Sequence, residues 1–336
     1  MRLSSLLITT ILAAGLGAVT VQAESAVPSI SEVGQGPESP FVTVFDLKDD
    51  LVGSTKLHII QDKETLIDVA RLYDVGFDEL KAANPGVDTF IPGNGRTIVV
   101  PGSHLLPAAP RKGIVVNTAE MRLYYYSPDG KHVSTFPVGI GREGLETPLG
   151  KTKIARKRKH PVWHPTKSSF LENPDLPKAV GPGPANPLGD YALDLGWDEY
   201  LIHGTNKPPG VGRRVSHGCM RMYPEDIEKL YGWTKVGTPV TVVSQPVKFG
   251  WHNGALYIEI SPSMKQIAEI ENTGEEASGA TTGDETVSEN LDGRKDVANL
   301  REQVLAIAGE KAADIDWHAV FEAAHVRDGV PVRITE

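Results

Sequence analysis

One cysteine, Cys219, is all that the 336 residues contain. An internal disulfide is therefore excluded, and in an oxidising compartment the thiol has no partner within its own chain. Neither a CxxC pair nor an HExxH motif occurs, which closes the common routes to a zinc site. Positive charge is also short: 34 Lys and Arg stand against 43 Asp and Glu, a net charge of −9. Removal of residues 1–23, whose one charged side chain is Arg2, makes it −10. A chain of this sign is a poor nonspecific ligand for nucleic acid. After residue 23 no run is long and apolar enough to span a bilayer. With 40% hydrophobic and 23% charged residues, the composition suits a soluble protein of two or three domains.

What is present begins with MRLSSLLITTILAAGLGAVTVQA. One arginine, an apolar run from Leu6 to Val19 and the small residues Val21 and Ala23 before Glu24 read as a cleavable secretory signal over residues 1–23. A retained anchor fits less well, because Thr and Gly interrupt the run. The lack of a cysteine after the cleavage point argues against lipid attachment there.

Residues 200–222, YLIHGTNKPPGVGRRVSHGCMRM, gather two histidines, an arginine and the single cysteine in a glycine-rich stretch. A thiol attacks carbonyls as thiolate, so it needs a base for its proton and donors for the oxyanion. His203 lies sixteen residues before Cys219, enough chain to leave a strand, loop and return beside it. Gly218 permits a sharp turn, at which the amides of Gly218 and Cys219 are the expected oxyanion donors. Arg221 shares a strand face with Cys219 and is placed to meet a substrate carboxylate. Other readings stand beside these. Cys219 is an inert core residue, or His203, His217 and Cys219 ligate zinc; His217 merely shapes the turn; Arg221 forms a structural ion pair.

HGT followed after about a dozen residues by SHGCxR resembles the L,D-transpeptidase (YkuD) family. The resemblance implies Cys219 as nucleophile, His203 as general base and Gly204 as the residue whose carbonyl orients it. Ser216, His217, Gly218 and Arg221 complete the signature, and Thr205 of HGT is a substrate contact. It further implies a peptidoglycan stem tetrapeptide as donor, release of D-alanine, and a thioester opened by an amine. That amine belongs to another stem or to an outer-membrane lipoprotein. Water as acceptor makes a carboxypeptidase, and the reverse use of the thioester makes a lipoprotein-releasing peptidase. No metal or organic cofactor is needed, and acylation of Cys219 by carbapenems is expected. A wall-binding protein with an inactive enzyme domain is the non-catalytic alternative.

Residues 24–55 read as a linker with a docking patch at Phe41-Val42-Thr43-Val44-Phe45. Residues 56–102 show a strand, a helix with Leu66, Val69, Ala70 and Tyr73 on one face and capped by Asp62 or Thr65, a second helix stopped by Asn84-Pro85-Gly86, and a strand at Thr97-Ile98-Val99-Val100. This order, with TLxxxA, LxxxN, PG and VVP, resembles a LysM module and implies glycan binding in the periplasm; a packing domain that binds nothing is the alternative.

Residues 112–244 carry short strands between turn signals, which favours a mainly β domain. The family resemblance implies a YkuD-like β-sandwich, and Val138-Gly139-Ile140-Gly141-Arg142-Glu143, Thr147-Pro148-Leu149-Gly150 and Asn186-Pro187-Leu188-Gly189 match further family segments. The run KTKIARKRK at 151–159 is a solvated strand face or an attractor for anionic wall polymer. The Pro- and Gly-rich residues 161–189 suit a functional loop, with Trp163 either walling the site or buried for structure. Residues 245–336 form a partly helical extension: a hairpin at the Asn253-Gly254 turn, an acidic segment over 274–293 expected to be disordered, and two helices, the first with Val297, Leu300, Val304 and Ile307 inward. The expected fold is thus a mainly β catalytic domain with a small α+β module of βααβ order and that extension.

Overall fold

The computed structural model describes residues 44–275 and 297–336. The expected signal, the linker up to residue 43 and all but the start of the acidic segment lie outside the described residues.

The first unit runs through β1 (Val44–Asp46), β2 (Leu51–Gly53), β3 (Lys56–Ile59), α1 (Leu66–Leu72), α2 (Phe77–Ala82), β4 (Thr97–Val100) and β5 (Ser103–Leu105). Thr65 starts α1 by a reciprocal cap: its hydroxyl accepts from the Asp68 amide at 3.2 Å, and its own amide donates to Asp68 at 3.0 Å. Leu66, Val69 and Ala70 then face Leu80, Ile98 and Val100 in a small core. Asn84 fastens the end of α2 to β4. Its amide donates to the carbonyls of Leu80 and Val99 at 2.8 and 2.7 Å and accepts from the Val99 amide at 2.8 Å.

The second unit contains β6 (Gly113–Asn117), β7 (Arg122–Tyr126), β8 (His132–Pro137), β9 (Ile140–Gly141), β10 (Gly150–Lys159), α3 (Lys167–Glu172), β11 (Tyr191–Leu195), β12 (Leu201–His203), β13 (Arg214–Ser216), β14 (Met220–Arg221), α4 (Pro224–Trp233) and β15 (Pro239–Val243). Nine strands make one sheet in the order β1-β8-β7-β6-β15-β10-β11-β12-β14. The docking patch thus ends as an edge strand, β1 on β8. The expected mainly β, sandwich-like domain takes the form of one continuous, curled sheet. The turn is made by β10: residues 150–153 pair with β15, residues 154–159 pair with β11, and the register shifts between Ile154 and Arg156. An irregularity of this kind bends a long strand and raises its twist. The far edge then returns towards the start, with Gly139, just past β8, bridging Arg221 in β14. Ile114, Leu123, Phe136, Ile154, Leu193, Ile202 and Met220 fill the curl, with Ile227 and Leu230 of α4 against them.

The extension holds β16 (Val247–His252), β17 (Ala255–Ile260), α5 (Met264–Glu275), α6 (Leu300–Ala308), α7 (Trp317–Val326) and β18 (Val332–Arg333). Asn253 and Gly254, at φ 49° and 78°, make the tight turn of the β16–β17 hairpin. Leu256, Ile258, Leu300, Val304, Val320 and Ile334 form its own core. Ile307 was expected inward but is 40% exposed. The buried stripe of α6 steps by four, from Leu300 through Val304 to Ala308, and leaves position 307 on the outer side.

Charge pairs, most of them buried, join the three units. Arg122 of β7 lies 2.7 Å from Glu79 of α2, and Arg71 of α1 holds Glu225 of α4 through two bonds of 2.8 and 2.9 Å. Lys248 of β16 reaches Glu120 at 2.5 Å, Glu259 at 2.7 Å and the Leu105 carbonyl at 2.7 Å. His104, Glu120 and Glu259 are close enough to share a cation, and the Lys248 ammonium pairs with the two carboxylates among them. The first unit also abuts the chain between His203 and Cys219. The Asp78 amide donates to Gly212 at 3.2 Å, and a Cβ on Gly212 would lie 2.3 Å from the Gly76 Cα. Among the described residues no helix is long and apolar enough to cross a membrane.

Candidate active site

Two neighbouring strands deliver the central pair. In the parallel ladder of β12 and β14, Ile202 faces Met220 and His203 faces Arg221, so Cys219 arrives one residue before the point where His203 leaves its strand. Both line a cavity of about 620 Å³ together with Trp163, Thr205, His217 and Arg221.

His203 is buried, and its Nδ1 lies 2.6 Å from the Gly204 carbonyl oxygen. A carbonyl only accepts, so Nδ1 carries the proton and Nε2 is left with a lone pair. Burial first, then the Arg221 and Arg158 guanidiniums, pushes the imidazole down to about 3, against the pull of the Gly204 bond. It is therefore neutral at physiological pH. The Cys219 thiol donates to the Glu199 carbonyl at 3.4 Å. Although it opens partly into the cavity, its desolvated surroundings push it up to about 11, against a backbone bond from Leu201 and the Arg221 charge. The resting pair is thus thiol and neutral imidazole.

The turn before Cys219 is closed internally. Ser216, buried, donates to the Cys219 carbonyl at 2.6 Å and accepts from the Gly218 amide at 3.1 Å. This corrects the expectation that Gly218 offers its amide to an oxyanion: the serine hydroxyl already holds it. Gly218 has φ +100°, and a Cβ there would sit 2.7 Å from Tyr200 Cε1. Thr147 braces the turn from outside, donating to the Gly218 carbonyl at 2.9 Å and accepting from the Gly141 amide at 3.1 Å.

The family model for the L,D-transpeptidase catalytic domain, YkuD, matches residues 111–242. Escherichia coli probable L,D-transpeptidase YbiS is 37% identical over 293 residues, 84% of this chain and 88% of its own. Probable L,D-transpeptidase ErfK/SrfK of the same species is 42% identical over 230 residues, 66% of this chain and 74% of its own. The chain belongs to the L,D-transpeptidase family. Among solved structures, the catalytic domain of an E. faecium L,D-transpeptidase is 24% identical, covering 40% of this chain and 99% of that one at a TM-score of 0.33.

In this chain Thr205 is buried at the cavity edge, where its hydroxyl accepts from the Lys207 amide at 2.9 Å. Trp163 is half-buried at the wall, its backbone paired with Val180. His217 also lines the cavity, and its Nε2 lies 2.9 Å from Glu172 Oε2. Glu172 and Thr147 were not singled out in the sequence. The TPLG segment containing Thr147 was, but nothing in it says which atom it braces. The basic run of β10 is largely engaged. Arg156 and Arg158 share Asp194 at 2.5 and 2.7 Å, and Lys157 donates to the Tyr231 and Thr234 carbonyls at 2.5 Å each. Arg158 also lines the cavity.

Proposed function

We propose that this chain is a cysteine L,D-transpeptidase that acts on peptidoglycan stem peptides through a thioester on Cys219. The observation that carries the reading is a neutral His203, fixed by Gly204 with Nε2 unprotonated, beside a lone thiol in a cavity that also holds Arg221.

His203 Nε2 takes the Cys219 proton as sulfur attacks the carbonyl preceding the terminal D-alanine of a tetrapeptide stem. The oxyanion forms against the Cys219 amide, since that of Gly218 is held by Ser216. Collapse breaks the C–N bond, and His203 returns the proton to the departing amine. An acceptor amine then attacks the thioester, gives its proton to His203 and leaves with the acyl group, restoring the thiol. Arg221 meets a carboxylate of the donor, and Thr205 and Trp163 line its path. Ser216, His217 and Gly218 shape the turn. Incubation of purified muropeptides with the wild type and with Cys219→Ala is the test. Turnover and a carbapenem adduct on Cys219 are expected in the first and absent in the second; full turnover in Cys219→Ala ends the mechanism.

We assign residues 1–23 to a cleaved export signal, placing the enzyme in the periplasm, 24–55 to a joining segment, 56–102 to a LysM-like module that holds wall glycan, 112–244 to the catalytic domain and 245–336 to an added unit. The βααβ order pinned by Asn84 supports the module. A mature chain beginning at Glu24 and cosedimenting with sacculi is expected; a retained N-terminus or no cosedimentation removes the respective assignment.

A further inference from the structure

The loop of residues 161–189 carries α3 beside the cavity. Thr166 caps the helix, accepting from the Ser169 amide at 3.2 Å. Little of the segment is buried: Leu171 is 86% exposed, and residues 171–175 are all exposed. At its end one carboxylate ties it to the body. Glu172, the last residue of α3, lies 2.9 Å from His217 Nε2 through one oxygen and accepts from Arg142 Nη2 through the other. His217 first, then Arg142, holds this carboxylate below the usual glutamate range, so it is ionised at neutral pH.

The two donors belong to the catalytic framework. His217 is two residues from Cys219, and Arg142 follows β9, its amide bonded to the Ser216 carbonyl at 3.0 Å. Two nitrogen donors converging on separate oxygens of one carboxylate form a fork that any carboxylate of suitable reach fits. In the molecule as it stands, that carboxylate is the protein's own.

We propose that Glu172 is a stand-in for a substrate carboxylate: it latches α3 beside the Cys219 cavity by occupying Arg142 and His217, and a carboxylate of the donor peptide displaces it. The inference rests on the proposed reading for the identity of the donor, a peptide with a free carboxylate near the scissile bond, while the latch itself does not depend on turnover. Glu172 is a positioning residue. Its exchange for the substrate carboxylate swaps one ion pair for another, so opening costs little and is offered selectively to anionic peptides.

The test compares the full-length wild type with Glu172→Gln and Arg142→Gln. Cys219 is labelled with two neutral thiol reagents, methyl methanethiosulfonate and a bulky N-aryl maleimide. Release of the latch raises the bulky-reagent rate about three- to tenfold in both variants, with a much smaller rise for the small one. A changed thiol acidity moves both reagents equally and overturns the latch, as does an unchanged ratio. With peptide donors, Arg142→Gln shrinks the preference for a free carboxylate over the carboxamide about tenfold, and Glu172→Gln lowers KM for the carboxylate donor. An equal loss on both donors in Arg142→Gln overturns the displacement. If no donor acylates Cys219 while the bulky-reagent rate still rises in Glu172→Gln, the latch stands and the transpeptidase reading falls.

Discussion

His203 and Arg221 are register partners in the parallel pair of β12 and β14. The pairing sets a permanent cation beside the imidazole, and after burial it is the largest influence keeping the ring uncharged. Arg221→Gln removes that charge, which makes the imidazolium easier to form and raises the His203 pKa. The acid limb of Cys219 acylation, low in the wild type because His203 sits at about 3, therefore moves to higher pH in the variant. A pH profile of acylation by a carbapenem measures it, and an acid limb that stays in place contradicts the account.

The same environment makes the thiol a poor nucleophile on its own. With the Cys219 thiol at about 11, labelling of the free enzyme by iodoacetamide climbs steadily through pH 9. A rate already level between pH 6 and 8 means a preformed thiolate–imidazolium pair and refutes the neutral resting state.

Gly218→Ala brings a Cβ to 2.7 Å from Tyr200 Cε1 at φ +100°. The backbone strain costs about 1–3 kcal/mol, and the displaced turn carries Cys219 with it. The expected loss in kcat/KM is roughly a hundredfold, from misplacement of the sulfur by about 1 Å. Near-normal activity with an unchanged melting temperature shows that the turn tolerates a side chain.

Asp74 and Asp226 form a buried carboxyl pair where α1 meets α4, with Lys229 3.6 Å from Asp226 and Arg122 and Glu225 also acting on them. Burial holds both above the usual range, and the hydrogen bond between them requires a shared proton. Folded pKa values above the unfolded ones mean that the native state binds more protons. The stability these groups contribute is present at acidic pH and lost as pH rises through the folded values. Asp226→Asn supplies the donor without a proton. It should raise stability at pH 7.5 by about 1–2 kcal/mol and flatten the decline from pH 5 to 8, as read by urea denaturation. An unaltered slope rules out the shared proton.

How much of this was legible in the chain depends on how local each feature is. Cys219, Gly218 and Ser216 sit within four residues, and His203 is tied to them by a short loop, so spacing alone suggested a common site. The helix cap at Thr65 and the hairpin turn at Asn253-Gly254 are likewise local. The Glu172 pairs with Arg142 and His217 span 30 and 45 residues, and no periodicity marks them. The engagement of the Gly218 amide does not show in the motif, because the serine that occupies it is part of the same signature. The curl of the sheet was hidden for a similar reason: it is made by a change of partner along β10, whose sequence reads as one basic strand.

Lys248 sits at 1% side-chain exposure between Glu120 and Glu259, its charge donated by β16 to residues from two other parts of the chain. Boundaries drawn along the linear polymer are therefore not seams in the folded body. A chain ending before residue 247 would keep Glu120 and Tyr124 but forfeit the ammonium they face. The last quarter of the molecule is a wall of the folded body rather than freight attached to it.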